Sequence, residues 1–391
     1  MSVRGVGADL SASAVVAGFV AVLVGYSSSV AIVFQAAQTL GATPAQTASW
    51  MWALGLAMGI SCIGLSLRYR MPVLTAWSTP GAALLAATQG VSLGEATGAF
   101  LVCALLIIAA GSSGWFERVM DKLPMAVAAA LLAGVLTRFG LDAVLSVRSA
   151  PLLVLVMVLA YLAGRRWWPR YAVPAVLAAG IAVAALHGRV ALGGVNWAWA
   201  QPVFVMPQFT LAAVVGVALP LFIVTMASQN LPGVVAQRAA GYRIPVSPVI
   251  TATGLVTLLL APFGAFAINL AAITAAICMS PEAHADPAKR YTAPLMAGIF
   301  YTLLGLAGGA VVGLLAAFPK ELVAAVAGLA LLGTIAGALS LALRDERHRD
   351  AAALTFLVTL SGVSVAGIGS AFWGVAAGSL ALAVQHWRPG R

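Results

Sequence analysis

Hydroxyl and amide side chains are the groups that could do chemistry inside the long apolar runs of this chain. Val73-Leu74-Thr75-Ala76-Trp77 favours extended backbone, and Ser78-Thr79-Pro80-Gly81 after it has the form of a helix start, hydroxyl caps followed by proline in the first turn. A second segment has the same form: Gly264 to Ile268 reads as extended, with Asn269 as the cap of another half-helix. Pro80 and Asn269 lie 189 residues apart, close to half of the 391-residue chain. A helix N-terminus presents free N–H groups and about half a positive charge, so two such ends facing each other make an anion site. Charge-assisted hydrogen bonds from Ser78, Thr79 or Asn269 would add about 1.5–3 kcal/mol each. Together these offset the several kcal/mol of desolvating one carboxylate. A third cluster holds Thr225, Ser228, Gln229 and Asn230. Thr225 and Gln229 are four apart and share a helix face. Buried amides need partners, because an unpaired one costs about 2–7 kcal/mol. Bonding between helices is the other reading of these amides, and a kinked helix is the other reading of either broken segment alone. Tyr26, Ser27, Ser28, Ser29, Gln35 and Gln38 add polar groups to the first apolar run.

What is missing narrows the chemistry. No Asp, Glu, Lys, Arg or His falls near the middle of an apolar run; Glu95, Asp142 and Glu321 sit at outer ends, and His187, His284, His348 and His386 at loops or run ends. An enzyme needs converging acids, bases or metal ligands, and a proton pump needs a buried carboxylate relay; neither pattern is present. Cys62, Cys103 and Cys278 have no CxxC spacing and read as small core hydrophobes. No cofactor or metal is expected.

The elements that must position these groups are membrane helices. The chain is 62% hydrophobic and 8% charged, against roughly 25% charged in a soluble domain. Its 21 basic residues are scattered, which excludes a phosphate-tracking surface and nucleic acid as a partner. Met1–Leu10 leads into an apolar run without a small-residue cleavage site, so Ser11 onward reads as a retained first span. A bilayer core of about 30 Å takes about 20 apolar residues per helix. Fourteen spans result, near 12–36, 45–67, 73–90, 94–114, 122–140, 149–164, 172–187, 210–235, 246–263, 265–281, 291–316, 321–343, 350–367 and 370–387. With the N-terminus cytoplasmic, 17 of the 21 lysines and arginines fall inside and four (Arg138, Arg148, Arg189 and Lys320) outside, as the positive-inside rule requires. Lys122, Arg170, Arg388 and Arg391 are among the inside residues. Both termini are then cytoplasmic in a multi-pass protein of the inner (plasma) membrane. A long outer connection at 189–209, with Gly193, Gly194, Asn196, Trp197, Trp199 and Phe204, separates residues 1–188 from 210–391. Seven spans on each side, starting from opposite faces, form inverted repeats. The expected fold is an all-α polytopic membrane protein of 7+7 spans, with segments 3 and 10 discontinuous, each a short extended piece plus a half-helix. Broken backbone at membrane depth lines a cavity or is buried in protein.

On Thr75-Ala76-Trp77-Ser78-Thr79-Pro80-Gly81-Ala82-Ala83-Leu84, Ser228-Gln229-Asn230-Leu231-Pro232-Gly233 and Phe266-Ala267-Ile268-Asn269-Leu270-Ala271-Ala272-Ile273-Thr274, the sequence resembles the benzoate/proton symporter (BenE) family. That family is related to nucleobase/proton symporters and sulfate-type anion transporters. The resemblance covers nearly the whole chain. It implies a core domain of spans 1–4 and 8–11, a gate domain of spans 5–7 and 12–14, often a homodimer, and substrate held between spans 3 and 10. The implied function is secondary active import of benzoate or a similar aromatic carboxylate with protons by alternating access. The alternative is a nucleobase or inorganic-anion transporter on the same scaffold. Candidate substrate-binding residues are Trp77, Ser78, Thr79, Thr225, Gln229, Asn230, Phe266 and Asn269; Phe222 is a further aromatic that could face the ring. Glu321 is the proton-coupling candidate, set against a proton carried by the substrate itself. Nucleobase symporters carry an acid in span 8 where this chain has Ser228, Gln229 and Asn230.

Overall fold

The computed structural model describes residues 4–88, 90–120, 124–168, 172–190, 199–308, 318–363 and 370–386. Gly193, Gly194, Asn196 and Trp197 of the connection between halves lie outside them, as do Lys122, Arg170, Arg388 and Arg391. Residues 309–316 and 364–367 of the expected spans lie outside too, as do the side chains of Ser27 and Ser28.

The chain is mostly helical. The first half runs α1 (Ala12–Thr39), α2 (Pro44–Tyr69), β1 (Thr75–Trp77), α3 (Thr79–Ala87), α4 (Leu93–Ser112), α5 (Met125–Leu145), α6 (Pro151–Trp167) and α7 (Ala172–Leu186). The second runs α8 (Leu211–Ala239), α9 (Val246–Leu260), β2 (Ile268–Leu270), α10 (Ile273–Met279), α11 (Thr292–Ala307), α12 (Lys320–Arg344), α13 (Arg349–Ser361) and α14 (Ser370–His386). Among the described residues six helices, α2, α4, α5, α8, α9 and α12, are long and apolar enough to cross a membrane. Local chemistry starts several of them. Thr43 and Ser92 form capping boxes with Gln46 and Glu95 ahead of α2 and α4, and Pro44 and Pro151 open α2 and α6.

Packing sorts the helices into two sets. α11 lies along α1 and α2, α9 along α4, and α3 along α1; α12 and α13 lie along α5, α6 along α7, and α14 along α13. Small residues allow close approach: a Cβ on Gly55 would sit 2.6 Å from Gly305 Cα, and one on Gly134 would sit 2.7 Å from Thr359 Cβ.

The two halves of the chain meet in a short antiparallel ladder, Thr75 opposite Leu270, Ala76 opposite Asn269, and Trp77 opposite Ile268. Ser78 N–H to Ala267 C=O and Ala271 N–H to Leu74 C=O, both 3.0 Å, extend it. Two-stranded edges buried in protein need partners, and side chains of flanking helices supply them. Ile268 N–H donates to Thr257 Oγ1 (3.0 Å), Leu270 N–H to Asn230 Oδ1 (2.9 Å) and Thr75 N–H to Cys62 Sγ (3.2 Å). Ser66 donates to Val73 C=O (3.0 Å) and Gln237 to Pro72 C=O (2.7 Å).

Two findings correct the sequence reading. Asn269 does not cap the second half-helix; it lies within β2, and α10 begins four residues later with Ala272 as an N-cap that offers no side-chain bond. Pairing with β1 is long-range and holds Asn269 extended, which a local capping rule does not see. Thr225 and Gln229 also do not sit on a regular helical face. α8 widens into π-type turns at Val214–Ala218 and Met226–Asn230. Each is next to a proline, Pro220 or Pro232, which lacks an N–H and crowds the carbonyl four residues back.

Candidate functional site

A cavity of about 310 Å³ lies against the ladder and both short helices. Thr79 and Pro80 of α3 border it on one side; Ala271, Ala272, Ile273 and Thr274 at the start of α10 border it on the other. Aromatic rings make its walls: Tyr26 from α1, Trp77 from β1, Phe139 from α5 and Tyr301 from α11. Tyr26 meets Trp77 edge to face with centroids 4.6 Å apart, and stacks on Tyr301 at 5.7 Å, within the range where ring pairs attract beyond their buried area. Trp77 is held in place because its indole N–H donates to Ser29 Oγ (2.9 Å), which donates to Gly25 C=O (2.8 Å). Gln229 contributes the amide in the wall. No Asp, Glu, Lys, Arg or His is among the lining residues described.

The structure divides the sequence candidates. Trp77, Thr79 and Gln229 line the cavity. Ser78 stands behind it, fully buried, its oxygen accepting from Gly81 N–H (3.1 Å) and from the Thr225 hydroxyl (3.1 Å). Asn230 is engaged with Leu270 and, through Nδ2, with Met226 Sδ at 3.2 Å. Phe266 packs against Trp50 and Phe100, with centroids 5.9 and 6.1 Å away, outside the lining. Phe222 is half-buried and also outside it. Glu321 lies in the first turn of α12, away from the lining.

Asn269 is different. It is fully buried, and neither its Oδ1 nor its Nδ2 has a hydrogen-bond partner. Directly opposed residues of an antiparallel pair share a face. Asn269 is therefore on the face of Ala76, which borders the cavity, while Asn269 itself is not among the lining residues. The Tyr26 hydroxyl is likewise buried without a partner. Unpartnered buried groups of this kind are rare. Tyr301, Phe139 and Met58 also line the cavity; they are ordinary residues of apolar helices, and only the fold brings them here.

No cluster of His, Cys, Asp or Glu among the described residues could hold a metal, and the three cysteines are buried and free. The arrangement suits a flat apolar body between rings with one acceptor-rich end toward the start of α10. That helix start has no side-chain cap, so no capping side chain takes its first-turn N–H groups.

Comparison with known proteins shows the family. The chain is 52% identical over 371 residues to the inner membrane protein YdcO of Escherichia coli, covering 95% of each chain. It is 41% identical over 374 residues to the benzoate membrane transport protein of Acinetobacter baylyi, again covering 95% of each. Its fold is similar to the solved overall structure of SLC26A9, with a TM-score of 0.50 at 14% identity. That match covers 94% of this chain and 65% of the other. The sequence matches the family described as benzoate membrane transport protein (BenE) over residues 8–384. The chain is a multi-pass membrane protein, and it belongs to the benzoate membrane transport protein family.

Proposed function

We propose that this protein is a secondary active transporter that imports benzoate, or a similar aromatic carboxylate, together with protons by alternating access. One observation carries the reading: a cavity whose described lining is uncharged and aromatic-walled, set against the uncapped start of α10, with the unpartnered amide of Asn269 across the ladder from the lining residue Ala76. The ring lies among Tyr26, Trp77 and Tyr301. The carboxylate lies toward Asn269 and the first turn of α10, with Thr79 and Gln229 at the other wall. Ser78, Thr225 and Asn230 keep α3, α8 and the ladder in register. A cavity of this lining favours an aromatic acid over sulfate, and its lack of an acid disfavours a nucleobase.

The scaffold is read as fourteen crossings in two inverted halves, 1–188 and 210–391 joined by 189–209, with both termini cytoplasmic. Segments 3 and 10 are the discontinuous pair, β1 with α3 and β2 with α10. The set α1–α4 with α8–α11 acts as the core and α5–α7 with α12–α14 as the gate. The packing of the helices into two sets supports this division.

Moving an anion into a negative interior costs about 2.3 kcal/mol per 100 mV, and one co-transported proton removes that cost. No acid stands among the described lining residues, so the substrate carboxyl is the proposed carrier; burial disfavours its charged form. Glu321 is the competing carrier. Uptake of labelled benzoate into proteoliposomes under an imposed proton gradient tests both. Saturable uptake driven by the gradient, competed by substituted benzoates and not by uracil or sulfate, is expected. Competition by uracil or sulfate, or no gradient dependence, contradicts the reading. Retained coupling in Glu321→Gln supports the substrate as carrier; lost coupling with normal binding moves that role to Glu321.

A further inference from the structure

α10 separates two cavities. Ile273 and Thr274 at its start line the first, while Met279 at its end lines a second cavity of about 270 Å³. α5 shows the same succession, with Phe139 at the first and Leu132 at the second. The second cavity has an apolar floor, and a Cβ on Gly337 in its wall would meet nothing within 4 Å. Three charged groups stand over that floor: Arg165 at the end of α6, Glu282 just beyond α10, and Arg290. Arg165 Nη1 donates to Glu282 Oε1 in an ion pair. The Glu282 side chain is only 5% exposed, whereas Arg165 is 44% exposed. Arg290 donates from Nε to His284 C=O (2.8 Å) and from Nη1 to Met279 C=O (2.9 Å). One guanidinium thus pairs with a buried carboxylate over the apolar floor, and a second borders the same cavity, held on backbone carbonyls.

We propose that this second cavity is an additional aromatic-carboxylate site on the transport path, in which Glu282 occupies Arg165 as a built-in competitor. The inference rests on the reading that the protein carries such acids. Guanidinium pairs with carboxylate in a planar fork, and the apolar floor takes the ring. A carboxylate tethered beside Arg165 acts at an effective concentration of about millimolar or more, so substrate displaces it only briefly. An exit site that bound tightly would hold its cargo; one with an internal competitor releases it. Glu282 and Arg165 come from opposite helix sets, so the exchange also breaks a link between them.

Binding of labelled benzoate to the purified full-length protein tests this. Glu282→Gln removes the competing charge and keeps the shape, and is expected to tighten the second site by about tenfold or more, the loss of a tethered competitor. It should appear as a new saturable component, absent in the Arg165→Gln/Glu282→Gln double variant. Modification of Arg165 by phenylglyoxal, mapped by mass spectrometry, gives a second readout in the native protein: benzoate slows it and neutral benzyl alcohol does not. A folded Glu282→Gln protein without the new component overturns the proposal. So does a component that survives in the double variant, or an Arg165 whose modification ignores benzoate. If native protein shows a single weak component that protects Arg165, tightens in Glu282→Gln and is lost in the double variant, the first cavity is not a substrate site and the second one stands.

Discussion

β1–α3 and β2–α10 share one plan, a three-residue strand followed by a short helix, yet they treat their polar groups in opposite ways. β1–α3 is closed on itself. Ser78 caps its own helix and takes the Thr225 hydroxyl, and Trp77 is tied to Ser29. β2–α10 is held along its outer edge by Thr257 and Asn230, but its helix start is bare and Asn269 has no partner. An unpaired buried amide costs about 2–7 kcal/mol, a strain that binding sites hold at the expense of stability. The difference teaches that matched geometry does not mean matched duty: in the proposed account the first break is scaffold and the second receives the ligand.

The paths into the two strands differ as well, and this gives the largest expected effect. Gly264 turns the chain toward β2 at φ +111, and a Cβ there would fall 1.9 Å from Trp50 Cδ1. Gly264→Ala should lower stability by about 3 kcal/mol, combining about 1–2 for left-handed backbone with about 1–3 for overpacking. Thermal melting of the purified protein checks it, and a native melting temperature would remove the turn from the account.

The two asparagines give the next contrast. Asn230→Ala leaves Leu270 N–H without its acceptor and should cost about 1–3 kcal/mol. Asn269→Leu, which keeps the branched shape without the polar atoms, should raise the melting temperature of the ligand-free protein and weaken benzoate binding about tenfold, or 1.4 kcal/mol. If both variants destabilise alike, the distinction between a structural and a receiving amide fails. Ser78→Ala should cost about 1 kcal/mol through the lost cap while changing benzoate affinity less than about threefold. A larger affinity loss at unchanged stability would make β1–α3 a receiving element too.

The smallest effect concerns how the chain approaches β1. Arg70, at φ 54, ends α2 with its guanidinium 4.8 Å over the Tyr291 ring and 3.2 Å from Asp9. The Tyr291 hydroxyl, donating to Asp9 at 2.7 Å, holds that carboxyl below its usual range, helped by Lys289 and Arg70. A lowered acid contributes stability above its unfolded pKa of about 4, and the contribution fades as pH falls through the folded value. Melting temperature should therefore fall slightly more steeply below about pH 4 in the native protein than in Asp9→Asn. Parallel curves would show that this cluster does not steady β1.

Much of this was legible where the cause is local. Ser78 before Thr79-Pro80-Gly81 reads as a helix start because hydroxyl caps and first-turn prolines act within a few residues, and the structure places the cap there. A membrane protein was legible from apolar composition, and the family from the resemblance carried by the three quoted stretches. Asn269 was misread because ladder pairing across 193 positions, Ala76 to Asn269, leaves no local trace. Tyr301, Phe139 and Met58 carry no signal that separates a wall residue from a packed one. Glu282 carries no local signal of its partner, because Arg165 reaches it only through the fold.

The most direct test is a structure of the protein with 4-bromobenzoate, using the bromine anomalous signal to fix the ring's direction. The account predicts the ring among Tyr26, Trp77 and Tyr301, with its carboxylate within hydrogen-bond reach of Asn269 or the first-turn N–H groups of α10. A ligand bound elsewhere with this cavity unchanged, or one lying in it with its carboxylate turned toward α3, would contradict it.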